Sequence, residues 1–167
     1  KLGYSVNITT QVLGSNYDGS NIAAGNYSLI IMQTNGGQSG SSQLSTNLKN
    51  FVDGGGHFIG QTFLWSIAPS GFDYTITPFV GGVGQSFDGG PITTNTSHPV
   101  LGNSTFTYTN SSFVNTVSTL QSGATTVLTC SGGTPLLGVN QVGSSRLVGI
   151  NQYAGLAPNQ ANNPIGE

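Results

Sequence analysis

Few side chains in this chain can move a proton or hold a metal. The candidates are His57, His98, Asp18, Asp53, Asp73, Asp88 and Glu167, with Cys130 as the one thiol. A metal site needs several imidazole or anionic ligands that converge. No pair has a spacing such as H-x-x-x-H, and no D-x-D-x-D-G loop occurs, so no metal and no cofactor is expected. Asp18-Gly19 and Asp88-Gly89 read as turns. The stretch "GGVGQSFDGG" (81–90) has the glycines of a phosphate loop but lacks its lysine and is not framed by a strand and a helix. Cys130 would need a neighbouring base such as His98, or a helix N-terminus, to act as a nucleophile. A small buried residue at a strand end is the simpler reading. His57 opens an apolar run and reads as a structural histidine bonded to its surroundings.

A second kind of chemistry is sugar recognition, in which aromatic faces stack on pyranose rings and amides bind hydroxyls. Trp65, Tyr74 and Tyr153, with Phe63, are the aromatic candidates, and core packing is the competing reading. Asn7, Asn26, Asn95, Asn103 and Asn110 head N-x-S/T sequons and are candidate glycosylation sites. In a chain with 16 Asn and 39 Ser plus Thr, chance alone supplies nearly as many.

Composition sets the surface chemistry. Charged residues are 5% of the chain, against a usual figure of ~25%. The surface must therefore be built from neutral hydrogen-bonding groups. Three basic residues cannot neutralise a run of phosphates, which argues against nucleic-acid binding. No apolar run approaches the ~20 residues of a membrane helix, so no membrane insertion is expected. The scarcity of Lys and Glu points to an extracellular or cell-surface setting. Cys130 stands alone, so there is no internal disulfide framework.

The elements that would position any site are legible in part. "YSVNIT" (4–9) alternates and reads as a strand. "NYDGSN" (16–21) is turn chemistry. "YSLIIMQ" (27–33) is a continuous apolar run, as in a parallel strand buried on both faces. Leu44, Leu48, Phe51 and Val52 lie on one helical face. Ser41 or Ser42 is placed to cap that helix, and Gly54 to end it in a left-handed conformation. "HFIGQTF" (57–63) follows as a second strand, completing a βαβ unit. The region 68–115 is rich in Gly, Thr, Asn and Pro, with "FTYTN" (106–110) as a short extended piece. "TTVLTC" (125–130), "PLLGV" (135–139) and "SRLVGIN" (145–151) read as strands joined by hairpin turns. One domain over 1–151 and a polar tail over 152–167 are expected.

The order "YSLIIMQTNGG … LSTNLKNFVDGGGHFIGQTF … SHPVLGNSTF … GTPLLGV … SRLVGIN" resembles the class I glutamine-amidotransferase-like superfamily, and within it the ThuA-like and related extracellular branches. The resemblance covers roughly residues 25–151. It implies a flavodoxin-like three-layer α/β sandwich with a mainly parallel sheet and a C-terminal β-hairpin. It also implies that the N-terminal strand and helix of such domains are missing here, so that other material fills their place. Amidotransferases of this superfamily carry a Cys nucleophile on a G-x-C-x-G elbow. The matching stretch here is "GQTFLW" (60–65), in which Thr62 stands near the nucleophile's place and Leu64 or Trp65 replaces the second glycine. Glutamine hydrolysis is therefore not expected. His98 in "TSHPV" matches the family's His-Pro segment and is the one weak catalytic candidate; a turn histidine held by Pro99 is the alternative.

Two functions compete at this level. One is a non-catalytic extracellular structural or assembly module of a surface layer, filament or multidomain surface protein. Its partners would be other copies of itself or further segments of a larger chain, with glycans as additional ligands. The other is a ThuA-like carbohydrate-binding or carbohydrate-processing protein.

Overall fold

A computed structural model describes residues 7–8, 17–34, 41–69, 71–88, 93–94, 98–99, 112–117, 119–130 and 132–153. Most of the strand expected over 4–9, the "FTYTN" piece, Asn95, Asn103, Asn110, Glu167 and nearly all of the tail lie outside these residues.

The chain forms helix α1 (Ser20–Ala24), strand β1 (Leu29–Gln33), helix α2 (Ser42–Asp53) and strand β2 (His57–Gln61), then a 3₁₀ turn at Tyr74–Ile76. There follow β3 (Gln85–Asp88), β4 (Thr93–Thr94), β5 (Ser112–Asn115), β6 (Thr125–Thr129), β7 (Pro135–Val142) and β8 (Ser145–Ile150). Six strands make one sheet in the order β1-β2-β8-β7-β6-β4, and β3 pairs with β5 in a separate ribbon.

The sheet is mixed. β1 with β2, and β2 with β8, run parallel. The pairs β8–β7, β7–β6 and β6–β4 run antiparallel. The expectation of a mainly parallel sheet is corrected: the tight turns of β6–β7 and β7–β8 can join only antiparallel strands, and with β4–β6 three of the five pairings are antiparallel.

The helix α2 follows from its periodicity. Leu44, Leu48 and Val52 are buried against Met32, Phe58 and Leu147 on one sheet face, each such side chain contributing roughly 1.5–3 kcal/mol. Lys49 and Asp53 pair across one turn on its solvent side. Its ends differ in detail from expectation. Ser41 is the N-cap but makes no side-chain capping bond. Gly54 has φ −76°, and the left-handed position falls one residue later, on Gly55 at φ +98°. The turn chemistry expected at 16–21 includes the start of α1, a five-residue helix with little sequence signal.

Phe79 organises the same face. A Cβ on Gly138 would stand 2.5 Å from its ring, and one on Gly149 would stand 2.7 Å away. These two glycines are cross-strand partners, so the ring lies directly on paired backbone. Trp65 packs edge-on against Phe79 at 4.9 Å.

The far face is covered unevenly. Val114, Val127, Leu128, Cys130, Leu136 and Leu137 form a second cluster, with Val139, Val148 and Ile150 against it. At the β1 end this cover stops. Leu29 is 43% and Ile31 is 58% exposed. The expectation that β1 is buried on both faces is thus corrected, since only Met32 and its neighbours on the helix face are covered. The register aligns Ile31 with Ile59, Ile59 with Val148 and Val148 with Val139. An apolar row therefore crosses the sheet and emerges at β1, the edge strand among the described residues.

Candidate functional site

In open α/β sheets, ligands favour the crevice beyond the carboxyl ends of the parallel strands. Here that end belongs to β1, β2 and β8. β2 runs on into Thr62, Phe63, Leu64 and Trp65, all buried. Thr62 donates twice to the Ile150 carbonyl, from its backbone N–H at 2.9 Å and from Oγ1 at 3.0 Å. Its hydroxyl proton is committed to backbone. The Phe63 N–H donates to the Thr34 carbonyl at 2.9 Å. The strand end thus ties β1 and β8 together, at the place where a nucleophile elbow would expose a side chain.

Around it lies a layer of neutral hydrogen bonds. Ser66 Oγ donates to the Phe63 carbonyl and accepts from Gln85 Nε2 and Asn115 Nδ2. Because the Ser66 proton is spent on Phe63, Asn115 must offer it the NH₂ side of its amide. Asn151, fully buried, clamps Asn115 from the other side. Its Oδ1 accepts from the Asn115 N–H, and its Nδ2 donates to the carbonyls of Asn115 and Pro135, each at 2.8 Å. Thr34 Oγ1, Asn115 Oδ1 and Gln152 Oε1 are buried in this layer without a hydrogen-bond partner among the described residues. A buried polar atom left unpaired costs about 1–3 kcal/mol, so three in one layer make this the polar pole of the sheet. Phe63 stacks on Tyr153 at 5.3 Å and meets Phe113 edge-on at 6.2 Å, with Phe113 47% exposed.

The sequence candidates are dispersed. Trp65 is fully buried, its indole N–H donating to Thr77 Oγ1, so no ring face is open to a ligand. Tyr74 stands in the 3₁₀ turn against Phe72, with its ring over Gly81. Burial pushes its hydroxyl pKa up from the ordinary tyrosine range. Of the four aromatic candidates Tyr153 and Phe63 belong to the carboxyl-end layer, stacked on each other. His98 is half-buried, and residues 95–97 and 100–111 around it lie outside the described ones. Cys130 is buried in the far-face cluster.

Three of the five carboxylates are engaged in local structure. Asp18 accepts from the Ser20 N–H, which holds its exposed carboxyl below the usual range. Asp73 accepts from the N–H and hydroxyl of Thr75. Asp53 pairs with Lys49. His57 accepts the Arg146 N–H on Nδ1 at 3.1 Å. Among the described residues no three His, Cys, Asp or Glu side chains gather into a metal-binding group, and no helix is long and apolar enough to cross a membrane. Sequence reasoning missed Ser66, Asn115 and Asn151. Their types are common throughout this chain, and only the fold brings them together.

No protein-family model matches the chain, and no curated protein is significantly similar to it. Solved structures do share its fold. A cytoplasmic protein of Salmonella typhimurium superposes with a TM-score of 0.63 at 14% identity, covering 83% of this chain and 67% of that one. A β-galactosidase from Rahnella sp. R3 superposes with a TM-score of 0.53 at 14% identity. It matches 76% of this chain, which spans only 20% of the enzyme. A Thermoplasma acidophilum protein described as one component of a GMP synthase gives a TM-score of 0.47 at 7% identity, over 84% of this chain and 70% of that one.

Proposed function

We propose that this chain is a non-catalytic, amidotransferase-like α/β module of an extracellular or cell-surface assembly, and that it associates with copies of itself through the β1 edge. The observation that carries this reading is the apolar row Val139–Val148–Ile59–Ile31, which ends on β1, the edge strand among the described residues, with Leu29 and Ile31 exposed. Edge strands that stay monomeric are commonly blunted by Lys, Pro or a bulge. β1 reads LIIMQ and has none of these. A covering layer on that face would complete the three-layer arrangement the family resemblance implies, and a second copy supplies one with the same neutral chemistry.

Two further observations support the reading. The end of β2 is packed and tied to Ile150, which is poor ground for an exposed nucleophile. The fold also occurs as one fifth of a much larger β-galactosidase, so it is used elsewhere as a module. Hydrogen bonds between Asn, Gln, Ser and Thr are hardly screened by ions. Association should therefore stay nearly constant from low salt to about 1 M.

The test is light scattering over a concentration series. The wild type is expected to associate, and Ile31→Lys to remain monomeric while losing no more than about 0.5 kcal/mol of stability, as for an exposed site. A monomeric wild type at all concentrations, or an association that collapses as salt rises, overturns the proposal.

A further inference from the structure

We infer that the cleft at the amino-terminal ends of β1 and β2 binds the ring of a neutral saccharide. It lies at the opposite pole from the carboxyl-end layer and shares no residue with it. The cleft of about 510 Å³ runs between the end of α1, the turn at Asn26–Ser28, the last turns of α2 and the glycines before His57. That volume falls within the roughly 300–1,000 Å³ of small-molecule sites.

Two aromatic rings form part of its lining, Tyr27 and Phe51. Each lies directly on a glycine. A Cβ on Gly25 would stand 2.0 Å from the Tyr27 ring, and a Cβ on Gly56 would stand 2.3 Å from the Phe51 ring. Gly25 has φ −97°, which any residue can adopt, and Gly55 rather than Gly56 takes the left-handed position of its turn. Backbone conformation therefore explains neither Gly25 nor Gly56. What they provide is room for a flat ring against the chain. Such rings are held in place while remaining half-exposed on the cleft wall.

The polar lining comes from Asn26, Ser28, Asn47, Asn50 and His57. Asn47 is committed to the Asp18 carbonyl and to Gln43, so it shapes the wall. Asn26 and Asn50 are exposed, and each presents a donor and an acceptor. His57, with Nδ1 held by the Arg146 N–H, carries its proton on Nε2 when neutral. Among the described residues no Asp, Glu, Lys or Arg lines the cleft. An anion would meet no cation there, and a cation no carboxylate. Amides that both give and accept hydrogen bonds, beside aromatic walls, match the hydroxyls and C–H face of a pyranose.

The same ring chemistry has two sources. Asn26 heads the sequon Asn26-Tyr27-Ser28 and sits in the cleft lining, exposed, at φ +35°. A glycan can arrive on its Nδ2 from a lipid-diphosphate donor. The Nδ2–C1 bond forms, the anomeric C–O bond breaks, and the diphosphate leaves as Nδ2 loses a proton. This source rests on the extracellular reading above; a free saccharide does not.

Two arms separate the sources. In the first, protein made in a bacterial cytoplasm, hence without such glycans, is titrated with neutral hexoses and N-acetylhexosamines. Amide shifts at Tyr27, Asn50 and Gly54–Gly56 are expected to move, with affinity about tenfold weaker in Asn50→Ala, the effect of one or two lost hydrogen bonds. Asn50 is exposed on α2, so this variant keeps its fold. In the second arm, protein secreted from a eukaryotic cell is examined by intact mass and peptide mapping. A glycan at Asn26, absent in Asn26→Gln, with first-ring protons close to Tyr27 or Phe51, supports the attached source. Silence in both arms overturns the inference. So does a stronger response to adenosine or to a charged ligand than to any sugar. Neither result bears on the β1 edge, which the Ile31→Lys experiment tests separately.

Discussion

Replacing Asn151 with alanine lowers the stability of this fold by about 3–5 kcal/mol, the largest effect expected of any single polar substitution here. The side chain is fully buried and makes three hydrogen bonds, all to backbone. Alanine removes the side-chain partner of the Asn115 N–H and of the Pro135 carbonyl, at about 1–3 kcal/mol each before relaxation, while the Asn115 carbonyl keeps the Val117 N–H at 2.7 Å. It also loosens β5 from β7, because this amide bridges Asn115 and Pro135. Urea unfolding monitored by tryptophan fluorescence measures it. A loss below about 1 kcal/mol would mean that relaxation or solvent repairs the clamp.

Asn151→Asp sharpens the test. Aspartate can still accept from the Asn115 N–H but, when ionised, cannot donate to the two carbonyls. Burial and the facing carbonyl oxygens raise its folded-state pKa above the unfolded value. The folded state then holds its proton to higher pH than the unfolded state does. The variant's stability deficit relative to wild type should grow as pH rises through that window and shrink on acidification. Asn151→Ala has no such dependence, so the difference between the two curves isolates the carboxyl group.

Gly149→Ala should cost about 3 kcal/mol, at the upper end of the range for overpacking. The backbone there is an ordinary strand and accepts alanine, so conformation is not the obstacle. The added methyl would stand 2.7 Å from the Phe79 ring and 2.8 Å from Pro78. Phe79 is itself fully buried and packs on Trp65, so the ring has nowhere to retreat without moving the core. The sign can be checked with a double-mutant cycle. Phe79→Leu alone is destabilising, but combined with Gly149→Ala it should cost measurably less than the sum of the two. Strict additivity would show that the methyl is accommodated elsewhere.

How much of this was legible beforehand varies element by element. The repeat Leu44, Leu48, Phe51, Val52 can satisfy only one helical face, so α2 was written in the chain. The hairpin turns were written likewise, because short glycine-bearing links cannot cross between parallel strands. The scarcity of charge is equally plain in the chain, and it leaves neutral hydrogen bonding as the main polar chemistry. Trp65 was legible only as an aromatic residue. Its ring face is taken by Phe79 and its N–H by Thr77, partners 14 and 12 positions away, so a reading of residue type as a sugar platform had no means of seeing it buried. The row LIIM of β1 reads as buried on both sides; which side is covered depends on elements packed from elsewhere.

Local periods, turn positions and a surface chemistry almost free of ionisable groups follow from the chain alone, because they depend on residue type and spacing along a few turns or strands. That Asn151 clamps two strands, that Ile31 emerges at the edge of the described sheet, and that Tyr27 and Phe51 lie on glycines around one cleft comes from packing between distant segments. Asn, Gly and Ile are common in this chain, and what each does is set by long-range neighbours that no local pattern encodes.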